Sequence, residues 1–476
     1  MRKFLKVRFL LTFMIGVLFL INNNVFAEKV AKAPSAPTNL TITNIDATSV
    51  TLKWDKPKDN TNIKKYKVYK NSTYINSASS NTTSFTIDKL KPDTEYKIYI
   101  RSEDDKSNVS KASDFILAKT LVSSDLSTKI IGYYPAWKAY SGYTPDKLDV
   151  SKLTHINYAF AYIGQDNKIK LGYPDIDPAN FSKLNKLKEQ NNNLKILVSV
   201  GGWSWSGQFS NTAASKAART EFAKSCVDLL TKYNLDGIDL DWEYPVGGGL
   251  ATNSKRAEDK QNFTLLLKEI RLKFDEQELK DKKEYLLTIA GGASSYYLKN
   301  IEPAKIKDYV DFVNIMTYDM HGPWDGYSDY NSPLYNNTLS SPQYTICIDT
   351  SENAWVESGF PKDKLVVGMP FYGYLYNVKT TNNNGLYQKF SEGKALSYSS
   401  IKSNYLNNKR YVAYFDSESM VPWLYGDNTF ISFENDKSMK LKAEYVKNEG
   451  LAGAMIWELS QDYNNELLNA IYEVLK

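Results

Sequence analysis

Four acids crowd into the stretch LDGIDLDWEYP, Leu235 to Pro245: Asp236, Asp239, Asp241 and Glu243. Between them stand Ile238, Leu240 and Trp242, which belong in a core. Residues two apart on a strand share a face, so Asp239, Asp241 and Glu243 project together and the apolar three project the other way. Asp236 has the opposite parity and is expected to bond backbone or neighbours. Three carboxylates on one inward face cannot all ionise cheaply, because like charges and lost hydration raise at least one pKa. A carboxyl that keeps its proton near neutral pH can act as a general acid. A DxDxE set could also hold Ca²⁺ or Mg²⁺, but hard cations usually recruit further acids from other strands or a dedicated loop. No metal and no cofactor is expected.

Such a strand needs neighbours to position it. From Lys129 onward, short β-type runs alternate with longer helical segments. The strands are predicted at 129–137, 153–163, 194–203, 235–243, 285–292, 312–320, 364–374 and 451–460. Several are near-continuous apolar runs, as parallel strands covered on both faces should be. Helical spacing in RTEFAKSCVDLLTKY (219–233) and KQNFTLLLKEIRLKF (260–274) fills the gaps between them. Eight such units over 129–476 point to a (β/α)8 TIM barrel, whose chemistry sits at the C-terminal ends of the strands. One connection, about 375–439, is too long for a loop and is expected to be a small inserted α+β domain. Within it KRYVAYFDSES (409–419) and NTFISFEND (428–436) read as a strand pair. The predicted strand ends carry Tyr133, Tyr134, Trp137, Gly201, Gly202, Trp203, Tyr318, Trp324 and Trp457. Aromatic rings at a barrel mouth suit the apolar faces of pyranose sugars.

The remaining chain is read around this barrel. Arg2, Lys3, Lys6 and Arg8 precede an apolar run at 9–21 and a small-residue pattern at Val25-Phe26-Ala27, so 1–27 is expected to be a secretory signal peptide. Its removal takes four positive charges and no acid, lowering the formal net charge from +5 to +1. A chain with so little charge bias has no overall attraction for nucleic acid or anionic lipid. A secreted, extracellular protein is expected, a monomer with no membrane contact after cleavage. A linker (28–37) leads to residues 38–120, where SVTLKW, KYKVYK, TSFTID and EYKIYIRS alternate at period two, and a second linker follows at 121–128. Pro37, Trp54 and Leu90-Lys91-Pro92-Asp93-Thr94-Glu95-Tyr96 resemble a fibronectin type III module, an all-β sandwich in which Tyr96 would be the corner tyrosine. No chemistry is expected there. Two histidines, His155 and His321, exclude a His-rich metal site. Whether Cys226 and Cys347 pair is left open.

The acid strand also carries a family resemblance. DGIDLDWE (236–243) matches the DxxDxDxE signature of family-18 glycoside hydrolases, the retaining chitinases, with SVGGW (199–203), MTYD (316–319) and GAMIWELSQD (453–462) in the expected order. The resemblance implies chitin and chito-oligosaccharides as partners, and attack by the substrate's own 2-acetamido oxygen to form an oxazolinium. It implies that Glu243 is general acid and then base, that Asp241 holds the acetamido N–H, and that Asp239 shares Asp241's proton. Tyr133 and Ser199 match positions that bond Asp239 when Asp241 swings toward Glu243. Tyr318 would bond the acetamido oxygen, Trp457 would floor the cleaved sugar, and Trp137 would stack toward the non-reducing side. Trp203 and Trp324 match leaving-group positions, and Tyr244, Met316 and Asp319 would complete the wall. Two positions depart from the family: Tyr374 follows PFYG where many relatives have arginine, and Trp423 stands where tyrosine is frequent. An endo-acting chitinase is expected. An endo-β-N-acetylglucosaminidase on N-glycan cores, a peptidoglycan hydrolase and a chitin-binding lectin are the alternatives.

Overall fold

The computed structural model describes residues 33–476 apart from 46–48, 60–61, 89, 91–93, 121–127 and 340–344. The expected leader, half of the first linker, all but Thr128 of the second and Lys91-Pro92-Asp93 lie outside the described residues. The chain divides into two compact units, Met1–Asp125 and Leu126–Lys476.

In the first unit, Thr38–Ile45, Val50–Asp55 and Ser84–Ile87 form one antiparallel sheet. Thr73–Ser79, Ile63–Lys70, Glu95–Asp104 and Ile116–Lys119 form the other. Alternate residues turn inward, so Leu52, Trp54, Tyr66, Val68, Tyr96, Ile98 and Ile100 make one core. Trp54 packs edge-on against Tyr66 at 5.3 Å.

The second unit is a closed parallel barrel. Its strands are β1 (Lys129–Pro135), β2 (His155–Ile163), β3 (Lys195–Gly201), β4 (Gly237–Asp241), β5 (Leu286–Gly292), β6 (Phe312–Met316), β7 (Leu365–Pro370) and β8 (Gly453–Trp457). Each pairs with the next in parallel, and β8 pairs with β1 to close the ring. Helix α1 (Lys216–Tyr233) leads into β4, capped at its start by Ser215 and ended by Asn234 in the left-handed conformation. Helix α2 (Asp259–Asp281) follows β4. The outward side chains of β4 feed the layer between strands and helices. There Trp242 stacks on Phe209 at 5.2 Å and meets Phe263 edge-on at 5.4 Å. Inside the barrel, Ile131, Phe312, Val366 and Met455 form a separate apolar plug.

The long connection forms a five-stranded antiparallel sheet of Phe390–Ser397, Tyr372–Val378, Thr429–Ser432, Val421–Gly426 and Val412–Asp416, in that spatial order. The two runs expected to pair directly do not. Val421–Gly426 lies between them and pairs with both, because a tight turn at Asp427-Asn428 folds it back first. Trp423 belongs to this sheet's own core, stacked on Tyr414 at 4.9 Å. Tyr134 also departs from expectation. It faces the helices, stacks on Tyr158, and donates to the Tyr143 carbonyl at 2.6 Å, since it has the parity opposite to Tyr133. Cys226 and Cys347 are both buried free thiols. His155 is buried, hydrogen-bonded to Thr154 Oγ1 at 2.8 Å, and held neutral by burial and by Lys129 and Lys195.

Helix Ile348–Glu357 carries a buried carboxyl, Glu352, whose oxygens have no protein partner. Burial pushes it up to about 8, although Lys362 works against the shift. Between the unfolded value, near 4.3, and the folded one, the native state holds a proton that the unfolded chain releases. Stability is therefore lost as pH rises through this window, by up to ~1.4 kcal/mol per pH unit. Glu352→Gln is expected to raise the melting temperature at pH 8 more than at pH 5. An equal difference at both pH values would refute the buried-acid account.

Candidate active site

The acid strand is positioned by register. In the β3–β4–β5 part of the sheet, Ser199 stands beside Asp239 and Asp239 beside Thr288, so all three side chains point into the barrel at one level. Ser199 Oγ donates to Asp239 at 2.7 Å and Thr288 Oγ1 at 2.6 Å. From β1 the Tyr133 hydroxyl donates at 2.7 Å, and from β6 Asn314 Nδ2 donates at 3.2 Å. Four donors on two oxygens leave Asp239 no acceptor for a proton of its own, so it is the buried anion even though burial raises its pKa. The contact expected to share a proton between Asp239 and Asp241 is not formed in this structure, because the oxygens of Asp239 are fully occupied. Among sequence-derived candidates, Tyr133 and Ser199 thus touch Asp239 rather than open space. Thr288 and Asn314 were missed, although each is a polar residue at an inward position of an otherwise apolar strand.

One step toward the mouth, Asp241 is buried and its Oδ1 has no partner. Burial, then the charges of Glu243 and Asp239, push its pKa well up, so it holds a proton. Glu243 lies two residues further. Its backbone N–H donates to Ser206 Oγ at 2.9 Å, and its carbonyl accepts from Asn253 Nδ2 at 3.1 Å. Burial raises Glu243 to about 7; the Tyr244 hydroxyl acts against the shift and the Asp319 charge adds to it. Asp236 behaves as its parity requires, accepting from Ile196 N–H at 2.8 Å and pairing with Lys188 and Lys283 at 2.5 and 3.0 Å.

Above these carboxyls opens a cleft of about 960 Å³ lined by Trp137, Gly201, Trp203, Asp241, Glu243, Tyr244, Met316, Tyr318, Asp319 and Trp457, among others. Tyr318 is held well above its usual range by burial and by Asp241 and Asp319, so it stays a hydroxyl donor. The floor is a run of rings: Trp457 stacks on Phe160 at 5.8 Å and Phe160 on Trp137 at 6.3 Å, while the buried Tyr133 supports Trp457 edge-on at 5.5 Å. Phe160 of β2 and Trp205, in the short helix after β3, line the cleft without having been singled out, because aromatics in apolar surroundings are indistinguishable from core in one sequence. Gly201 (φ 106°) and Gly202 (φ 71°) act through closeness. A Cβ on Gly201 would lie 2.3 Å from the Asp241 carbonyl oxygen, and one on Gly202 2.7 Å from the Phe160 ring. Trp324 is exposed, outside this lining, and edge-on to Tyr374 at 5.7 Å. His321 is buried between Asp325 and Asp329, at 3.0 and 3.6 Å, away from the cleft.

Comparison with known proteins fits this geometry. Residues 129–462 match the model of glycosyl hydrolases family 18, and residues 35–116 that of the fibronectin type III domain. Chitinase A1 of Niallia circulans is 41% identical over 417 residues, spanning 75% of this chain and 60% of its own length. A family-18 N-acetylglucosaminidase structure from Paenibacillus barengoltzii superposes with a TM-score of 0.68 at 38% identity, covering 73% of this chain and 99% of its own. Chitinase ChiA74 from Bacillus thuringiensis superposes at 0.71 with 35% identity, covering 73% and 69%. With the family's signature acids stacked inside a closed barrel, the chain belongs to glycoside hydrolase family 18, its catalytic-type barrel preceded by a fibronectin type III domain.

Proposed function

We propose that this protein is a secreted chitinase that hydrolyses β-1,4 bonds between N-acetylglucosamine units with retention, by substrate assistance. The observation that carries the reading is the graded acid column: Asp239 an anchored anion, Asp241 a protonated and unpartnered carboxyl, and Glu243 an acid poised near neutrality at the cleft surface. Glu243 donates its proton to the leaving glycosidic oxygen as the substrate's acetamido oxygen attacks the anomeric carbon. No second carboxylate is then needed as nucleophile. Asp241 is free to turn toward the acetamido N–H, because Asp239 already has its four donors and asks nothing of it. Tyr318 holds the acetamido oxygen in line, which supplies the orientation that an intramolecular attack requires. The oxazolinium is opened by water that Glu243, now a carboxylate, deprotonates. Trp457 floors the cleaved sugar, Trp137 stacks the non-reducing side, and Trp203 with Trp324 the leaving side. Tyr244, Met316 and Asp319 complete the wall, while Gly201 and Gly202 let it approach.

Secretion rests on the leader read at 1–27. Among the described residues no helix is long and apolar enough to cross a membrane.

Hydrolysis of N-acetylglucosamine hexamer, followed by proton NMR before anomers equilibrate, is expected to show new reducing ends in the β form. Initial α ends would mean direct inversion and exclude the oxazolinium. The sizes of the first products separate internal cleavage from release of single sugars. Glu243→Gln is expected to lower kcat by about 10³-fold or more while retaining oligosaccharide binding, since it removes the proton and keeps the shape. Residual turnover near the parent level would strip Glu243 of its role. Because the acid must be protonated, kcat of the parent should fall above about pH 7, tracking Glu243. A rate independent of pH between 6 and 8 would contradict that assignment.

A further inference from the structure

Asp319 sits where the chain leaves β6, at φ 54°, with its N–H donating to Asn331 Oδ1 at 2.9 Å. Its Oδ1 accepts two phenol hydroxyls, Tyr372 at 2.5 Å and Tyr374 at 2.7 Å. Both belong to Tyr372–Val378, the strand of the inserted sheet that starts two residues after β7 ends. Residues two apart share a face, so this strand presents both hydroxyls to one oxygen. Asp319 makes no ion pair with a cation among the described residues. Among these residues its Oδ2 accepts from no donor either, and Asp319 lines the same cleft as Glu243.

We propose that Tyr374, together with Tyr372, is a positioning residue that holds Asp319 as a carboxylate in one orientation and leaves its negative charge uncancelled beside Glu243. The inference rests on Glu243 being the acid of the proposed function. A neutral hydroxyl stabilises an anion locally and leaves its charge in place, whereas an arginine at this position would cancel it at longer range. A carboxylate that feels another negative charge keeps its proton to higher pH. Among the described residues neither carboxyl is paired with a lysine or arginine. Glu243 faces Asp241 on β4, Tyr244 next in the chain, Tyr297 after β5, and Tyr318 and Asp319 after β6. Asp319 faces Tyr318, Tyr372, Tyr374, Tyr376 and Glu243. All are acids or phenols. Burial lifts Asp319, and the two hydroxyls oppose that rise and keep it charged.

Tyr374 has a second contact, with its ring edge-on to Trp324 at 5.7 Å. Hydroxyl and ring therefore have separable roles, and Tyr374→Phe removes only the first. The test is the pH profile of kcat and KM on N-acetylglucosamine hexamer for the parent, Tyr374→Phe, Tyr374→Arg, Asp319→Asn and the Asp319→Asn/Tyr374→Phe pair.

The alkaline limb is expected to move to lower pH by about 0.5–1 unit in Tyr374→Phe and by at least as much in Tyr374→Arg. KM should stay within about twofold in Tyr374→Phe, because the ring remains on Trp324. Asp319→Asn should move the limb the same way, and adding Tyr374→Phe to it should move it no further. A limb unmoved or shifted upward in Tyr374→Phe and Tyr374→Arg, or additive shifts in the pair, would overturn the proposal. So would a limb unmoved by Asp319→Asn; an inactive Glu243→Gln in the same assay would then leave the general-acid reading intact. An active Glu243→Gln would instead remove that reading and this one together. If Tyr374→Phe melts early, Tyr372→Phe strips the same oxygen from the other side and carries the same expectations.

Discussion

A single anion inside the barrel sets the terms for everything above it. Asp239 is completely removed from water, and a bare carboxylate there would be prohibitively unfavourable. Four strands answer with one donor each: Tyr133 from β1, Ser199 from β3, Thr288 from β5 and Asn314 from β6. Both oxygens of Asp239 are thereby satisfied, each by two donors. Its consequence is felt one step up. With Asp239 charged and locked, burial and then the neighbouring Glu243 and Asp239 push Asp241 well above the usual carboxylate range. Glu243, next to the open cleft, is left as the group that titrates near neutrality.

The apolar scaffold makes this column possible by keeping water out from below and admitting a ligand from above. The plug of Ile131, Phe312, Val366 and Met455 closes the interior beneath the acids. Rings from β2 and β8 pave the cleft floor and run out to Trp137, with Tyr133 of β1 buried behind Trp457. Trp457, Phe160 and Trp137 line the cleft and also cover the carboxyls from the side, so one apolar surface serves both ends. Gly201 at the end of β3 and Gly202 after it allow close approach, where any side chain would strike the Asp241 backbone or Phe160.

The inserted sheet acts on the same electrostatics from the opposite wall. Its first strand leaves β7 almost without a linker, and so brings two tyrosines to Asp319. The acid column on β4 and this clamp differ in kind. The first places charges by strand register, and the second tunes one charge with neutral donors. Trp423, the other departure from the family, packs within the inserted sheet, where its extra ring area is taken up by Tyr414 and Tyr330.

Periodicity in the amino-acid sequence determined the strands, the face on which Asp239, Asp241 and Glu243 stand, and the opposite fate of Asp236, because those properties depend only on residues near in the chain. It also determined the eight-unit repeat and the presence of one overlong connection, since apolar runs and gaps are local features. It ran the inserted strand Tyr372–Val378 into the end of β7, however, because the two are separated only by Phe371. The donors to Asp239 were a different matter. Thr288 and Asn314 look like ordinary polar interruptions until register sets them beside a buried anion on another strand. Tyr134 and Tyr133 are adjacent and alike, and only the pleat of β1 sends one to the helices and the other to the acids. Tyr374 could be seen as a departure, but its role as a donor required knowing that the inserted sheet lies against Asp319. Protonation was likewise decided by the tertiary structure: the sequence supplied three acids on one face, and burial together with the count of donors reaching each determined which would be charged.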